Sequence, residues 1–266
     1  MSEERIRPYA RLITMLGEQL IKNEQFALSE IIKNSYDADA DWVKVSFEGF
    51  NDQFKYDEES QIVIEDNGDG MTEDIILNNW LNPATYNKRS DENEAPKITK
   101  KGRVIQGEKG IGRFSLFKLG KHIEVVTRPR KGELEYSIIY NFSIYDDDFT
   151  EYYDYGKKEW IKKDIFLDEL VVNYEPDVPT VLVTRKVKVN NKVFSKNNNH
   201  GTKIIISDLK GRWTYNKVKS SYEELYQIQS GFETLTGKKL ATEFDIGFSI
   251  EEDNLKIPTE EKERLQ

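Results

Sequence analysis

The sequence predicts an α+β domain in which helices cover one face of a mixed, mostly antiparallel sheet. Two observations carry that prediction. Apolar residues recur at helical spacing over residues 6–22 and again over about 25–36. Beyond them, short runs rich in Val, Ile and aromatic residues follow one another with few helices between, the pattern of antiparallel strands under a helical layer.

The first helix, residues 6–22, carries Leu12, Met15 or Leu16, and Leu20 on one side. The second, from about Gln25 to Tyr36, is entered through the polar Lys22-Asn23-Glu24, and its Phe26, Ile31 and Ile32 are expected to face the core. Ala27, Glu30, Asn34 and Asp37 are spaced by three and four and share another face; small and polar residues so placed form a pocket wall. Strands follow at Trp42–Phe47, with Val43, Val45 and Phe47 inward, and at Gln61–Glu65, joined by the charged connection Asn51–Glu59. Thr72 is placed to cap a short helix ending near Leu81. Asn82–Ile105 is long, polar and lysine-rich with two prolines, the composition of a functional or mobile loop. Phe114–Leu119 reads as a helix closed by Gly120, and His122–Arg128, Leu134–Phe142, Thr180–Val189 and Thr202–Ser207 as further strands. Ser143–Asp177 is an acidic, tyrosine-rich insertion. Tyr215–Thr236 is helical, Phe244–Glu251 a strand, and residues 252–266 a polar tail.

At 266 residues the chain can bury a sizeable core, as one large domain or two small ones. A hydrophobic content of 37% with 12% aromatic residues argues against wholesale disorder. The net charge of −9 argues against a whole-surface nucleic-acid binder but leaves a local basic patch such as Lys97–Arg103. With no cysteine there is neither disulfide nor thiolate metal site, and two histidines leave little scope for a histidine-rich centre. No apolar run approaches the roughly 18 residues of a membrane span. Without a signal-peptide pattern, an intracellular, cytoplasmic protein is expected.

Three segments carry chemistry. Glu30 and Asn34 lie four apart, so on a helix they are neighbours: the carboxylate can take a proton from a water, and the amide oxygen can ligate Mg²⁺. For the pair taken alone, a solvated polar face is the readier reading. Asp66 follows the apolar run Ile62-Val63-Ile64 and opens a turn with Gly68, Gly70 and Met71. A buried carboxylate there only accepts hydrogen bonds, which suits the exocyclic amine of adenine, while Met71 offers an adaptable apolar surface. An ordinary Asp-Asn-Gly turn is the plain alternative; a calcium loop lacks its spaced acidic ligands. Gly107, Gly110 and Gly112 lead into a helix whose N-terminal amides can bind phosphate, with Lys109 as a nearby cation. This is neither a Walker loop nor a dinucleotide-binding fingerprint.

Together these segments resemble the GHKL superfamily of gyrase B, the ninety-kilodalton heat-shock chaperone, sensor histidine kinases and MutL. Glu30–Asn34–Asp37-Ala38 is similar to its N box, Asp66–Met71 to its first glycine box and Gly107–Phe114 to its second; His200-Gly201-Thr202 resembles the element closing the adenine pocket. The resemblance implies a Bergerat-type two-layer sandwich over about residues 1–210, with an ATP lid near 83–115, the insertion at 143–177, an elaboration at 211–251 and a tail or linker at 252–266. It implies Glu30 as general base, Asn34 as Mg²⁺ ligand, and Asp66 as adenine reader with Thr202 beside it. Asp37, Ala38, Gly68, Gly70, Met71, Gly107, Lys109, Gly110, Ile111, Gly112, Arg113 and Phe114 complete the implied nucleotide site. Residues 1–29 hold no histidine to accept phosphate, so the chain is most similar to the chaperone, MutL and MORC-like branches. That implies a weak Mg²⁺-dependent ATPase domain, part of a longer protein, gating an ATP-dependent homodimer that acts on DNA or protein. The alternative is a nucleotide-dependent conformational module with negligible turnover.

Overall fold

The computed structural model describes residues 6–51, 54–82, 97–107, 112–142, 149–196, 198–235, 244–250 and 253–254. Its first helix is shorter than its periodicity predicts: α1 spans Leu12–Leu20. Pro8 accounts for the difference, since it has no N–H and disfavours helical backbone at Arg7. Residues 8–10 instead run along a later segment, where Ala10 N donates to Ile165 O, Leu167 N donates to Pro8 O, and Tyr9 stacks on Phe166. Helix α2 (Glu24–Asp37) begins where Asn23 accepts a hydrogen bond from Phe26 N, a side-chain N-cap. It buries Ile31 and Ile32 as expected, but Phe26 is 40% exposed and stands at the rim of a cavity instead of in the core.

Strands β1 (Trp42–Glu48) and β2 (Gln61–Asp66) follow, then the short α3 (Glu73–Ile75), which Thr72 caps, running into a π-helical turn, Ile76–Trp80. A 3₁₀ turn, Gly112–Phe114, opens α4 (Ser115–Leu119). Then come β3 (Gly120–Arg128), β4 (Glu135–Asn141), a hairpin of β5 (Phe149–Asp154) and β6 (Glu159–Asp164), and β7 (Asn173–Asp177). The chain continues through β8 (Val187–Val189), β9 (Lys192–Phe194), β10 (Gly201–Leu209), α5 (Tyr215–Leu235), β11 (Asp245–Ile250) and β12 (Asp253–Asn254).

Eight strands form one sheet in the order β12-β11-β1-β2-β10-β3-β4-β7. Only β1 and β11 pair in parallel, so the mixed, mostly antiparallel α+β architecture is as the sequence predicts. Alternation sets the inner face: Val43, Val45, Phe47, Ile62, Ile64, Ile123, Val125, Ile206 and Phe248 are buried beneath the helices. The opposite face is partly covered as well, by the β8–β9 hairpin, whose Val187, Val189 and Phe194 pack with Trp42. Helix α1 crosses α4 closely at Gly17, where a Cβ would lie 2.8 Å from Phe114 O.

Two further expectations are corrected. The span Thr180–Val189 is a strand only over its last three residues, because residues 180–182 curl around Glu135 and satisfy their amides on its carboxylate. The end of the insertion, β7, joins the main sheet as an edge strand on β4, with Glu175, Pro176 and Asp177 discouraging further pairing. The expected polar tail, residues 252–266, lies almost wholly outside the described residues.

Glu135 is 4% exposed. Burial pushes its carboxyl up, but the amides of Leu182, Thr180 and Val181 outweigh that and hold it below its usual 4.5. Glu135→Ala should therefore cost roughly 2–4 kcal/mol, since it strands buried donors. A group with a depressed folded pKa stabilises above its unfolded value and loses that contribution as pH falls through the folded one. The wild-type advantage in urea unfolding should hold at pH 7 and shrink below about pH 4.5; a gap independent of pH would contradict the assignment.

Candidate functional site

Between α2 and the sheet lies a cavity of about 560 Å³. One wall is the polar face of α2, with Glu30, Asn34 and Asp37; Asp66 and Thr202 contribute from the sheet, and Gly107, Gly112 and Arg113 stand around it. Ile31, Met71, Ile75 and Ile204 supply apolar surface. Three segments distant in sequence thus converge on one space of ligand size.

Asp66 ends β2 and is 7% exposed. It accepts from Ser35 Oγ and from Gly68 N, both at 2.8 Å, and from the backbone of Thr202, its cross-strand partner on β10. Burial nonetheless pushes its carboxyl up to about 6, against those three donors and with a contribution from the Glu65 charge. The turn after it is locked on all sides. Gly70 has φ +67°, and a Cβ there would lie 2.0 Å from Arg128 O, so only glycine fits. Met71 N donates to Thr127 Oγ1, which lies 3.2 Å from Thr202 Oγ1. His200, 3% exposed, has Nδ1 2.7 Å from Gly68 O. Burial pushes its pKa down, so the ring is neutral at pH 7, and a carbonyl partner requires the proton on Nδ1.

On α2, Lys33 Nζ donates to Glu30 Oε1 at 2.8 Å. A Cβ built on Gly112 would lie 3.5 Å from Asn34 Nδ2 and 3.6 Å from Glu30 Oε2, so Gly112 lies directly beside this pair. Asp37 lines the cavity but also accepts from Gln106 N and Gly107 N at 2.8 and 2.9 Å. Arg113 donates to the carbonyls of Asn79 and Trp80, where the π-helical turn ends, and its guanidinium lies 5.4 Å from the Trp80 ring centre.

Ala38 also lines the cavity, whereas Gly68 and Phe114 do not: Gly68 backs the turn against Ala38, and Phe114 packs in the core beside Phe117. Lys109, Gly110 and Ile111 lie outside the described residues, as does all of 83–96 within the expected lid at about 83–115. The Lys97–Arg103 patch is not a free basic surface. Arg103 is fully buried, Lys100 pairs with Asp69 and Lys101 with Asp41. Sequence reasoning missed Ser35, Asn67, Thr127 and Lys33. Asn67 Oδ1 accepts from Asp41 N and Trp42 N, tying the turn to the start of β1. Its place in Asp66-Asn-Gly was the available signal; Thr127 gave none, since only the sheet register brings it here.

The structure is thus a two-layer fold with a buried carboxylate at a cavity between helix and sheet. A family model described as histidine kinase-, DNA gyrase B-, and HSP90-like ATPase matches residues 22–160, just over half of the 266 residues, and the chain belongs to that family. It is similar to the chaperone protein HtpG of Buchnera aphidicola, at 30% identity over 135 residues, 45% of this chain and 21% of that one. HtpG of Rhizobium etli is 29% identical over 142 residues, 47% of this chain and 21% of that one. The mitochondrial TNF receptor-associated protein 1 homolog of Dictyostelium discoideum is 22% identical over 240 residues, 83% of this chain and 32% of that one. The chain thus spans between a fifth and a third of the length of these curated relatives. Among the described residues no helix is long and apolar enough to cross a membrane.

A carboxyl raised from 3.8 to about 6 on folding contributes its stability below pH 3.8 and loses it as pH rises through 6. Asp66→Asn should therefore unfold at higher denaturant than wild type at pH 7–8, by up to about 3 kcal/mol. The gain should vanish near pH 4. A variant less stable at pH 8 than wild type would show that the buried charge is not a net cost.

Proposed function

We propose that this domain binds adenine nucleotides with Mg²⁺ and slowly hydrolyses ATP, with Glu30, Asn34 and Asp66 in the leading roles. The observation that carries the proposal is the convergence of these three side chains and Gly112 on one cavity. Asp66 accepts from the adenine amine, with Thr202 beside it and Met71 and Ile204 against the ring. Guanine would place a carbonyl against that carboxylate, two acceptors facing each other. Gly112, at the turn entering a helix, allows close approach of the phosphates, and Gly107 holds the chain that leads toward it. Glu30 takes the proton from the attacking water, and Lys33 on Oε1 leaves Oε2 toward Gly112.

The donors fit Mg²⁺ held chiefly by phosphate oxygens and water. Asn34 offers an amide oxygen, and no group of three or more His, Cys, Asp or Glu could hold a metal among the described residues. When bound, Mg²⁺ neutralises phosphate charge.

Calorimetry should show ATP and ADP binding with GTP much weaker, and Asp66→Asn losing about 1.5–3 kcal/mol of ATP affinity. Glu30→Ala should bind ATP normally but lower turnover by roughly 10²–10⁴. Equal affinity for GTP and ATP, or full hydrolysis by Glu30→Ala, defeats the respective assignment.

A further reading concerns what nucleotide binding does. Leu12 and Leu20 on α1 are 37% and 51% exposed, and α1 rests on the turn that follows the second glycine run. The HtpG relatives are named chaperones. These support an ATP-gated homodimer of a longer protein, acting on a protein or DNA client from a cytoplasmic location. Light scattering should give a dimer with a slowly hydrolysed ATP analogue and a monomer with ADP or no nucleotide. A monomer in all three states, here and in any longer chain, rules the gate out.

A further inference from the structure

We infer that Asp37 is a positioning residue: its carboxylate fixes the chain entering the second glycine run at a set distance from Glu30 and Asn34, and it does so by binding protein backbone instead of nucleotide. The inference rests on the ATP reading above and deepens it. Both carboxylate oxygens are engaged, Oδ1 by Gln106 N at 2.8 Å and Oδ2 by Gly107 N at 2.9 Å. Two successive amides converging on one anion is the arrangement in which backbone also grips phosphate. Here the protein fills that arrangement with its own side chain, so these two amides are committed before any nucleotide arrives.

The contact is the last of a series. Residues 97–107 fold back on themselves, with Thr99 N donating to Arg103 O and Ile105 N to Lys97 O. This small loop is fastened throughout to residues 36–41, the end of α2 and the turn into β1. Arg103, fully buried, donates to Tyr36 O and Ala40 O, and its guanidinium sits 4.7 Å from the Tyr36 ring centre and 5.3 Å from that of Phe244. Lys101 Nζ donates to Asp39 O and pairs with Asp41, and Lys101 N donates to Asp39 Oδ2. The loop therefore behaves as a fixed post on the helix that carries Glu30 and Asn34. Asp37, one turn beyond Asn34, is the link nearest the cavity. Through it the spacing between the catalytic pair and Gly107 is set by the pitch of α2.

A residue acting this way should affect phosphate contacts and leave adenine recognition alone. Calorimetry of Asp37→Ala and Asp37→Asn with adenosine, ADP and ATP tests this. In Asp37→Ala, ATP should bind about tenfold more weakly, the worth of one charge-assisted hydrogen bond, while adenosine stays within about twofold. Asp37→Asn keeps one acceptor oxygen and should lose less. Amide exchange at residues 106 and 107 should quicken in Asp37→Ala without any nucleotide. Parallel loss of adenosine and ATP affinity would indicate general damage and overturn the positioning role, as would unchanged exchange at 106 and 107 or intact ATP affinity. If the wild-type protein bound no ATP, the nucleotide reading itself would fall, and the positioning role with it.

Discussion

Removing a carboxylate from water is costly unless donors meet it, and Asp66 is met from three directions. Ser35 donates from α2, Gly68 from the turn and Thr202 from β10, the strand that pairs with β2. Each donor belongs to a different element, so satisfying one side chain requires the helix, the turn and the strand register to be correct together. A shift of one residue between β2 and β10 would carry Thr202 away from Asp66 and turn each inward side chain of β10 to the other face. The same carboxylate still carries a raised pKa, so its donors do not fully offset burial. A cavity beside a carboxylate with remaining acceptor capacity is one in which a further donor is welcome.

Polar contacts around this point hold turns in place more than they stabilise the fold. Asp69 takes Arg130 Nε at 2.6 Å and Lys100 Nζ at 2.8 Å, joining the first glycine turn to the β3–β4 connection and to the loop 97–107. Lys100 is largely exposed, so its pair contributes little energy, on the order of 0–1 kcal/mol. Asn67 and His200 are buried and hydrogen-bonded, and leaving either unpaired would cost more. The two glycine runs are thus carried by different devices. The first is braced by buried neutral groups together with the charged Asp69, and the chain entering the second at Gly107 is held by Asp37 at the end of α2.

Much of this was legible in the sequence because it is local. Helical spacing placed Glu30, Asn34 and Asp37 on one face, and the apolar run before Asp66 placed that carboxylate at the end of a buried strand. What escaped depends on contacts between distant segments. Thr127 reaches Met71 only through the β3–β10 register, and Glu135 converts an apparent strand at 180–186 into a loop through bonds made some 45 residues away. Phe26 fits the helix's apolar pattern yet stands at the cavity rim, since periodicity locates a face and not what covers it. Pro8, by contrast, is a local signal against helix that the apolar spacing of residues 6–22 masks.

The family match ends at residue 160, but the site cannot be built from that span alone. In the sheet β10 lies between β2 and β3, so residues 22–160 leave a gap at its centre. Without Gly201–Leu209, Asp66 loses Thr202, the first glycine turn loses His200, and Ile62 and Ile123 lose the Ile206 that joins them. β11 adds a parallel neighbour to β1 and brings Phe244 against Tyr36 and the Arg103 guanidinium. The residues that fasten the loop 97–107 thus draw on the far end of the described chain. The part beyond residue 160 is not an appendage to the cavity, because it supplies the central strand and part of the packing that keep Asp37 and Asp66 in register.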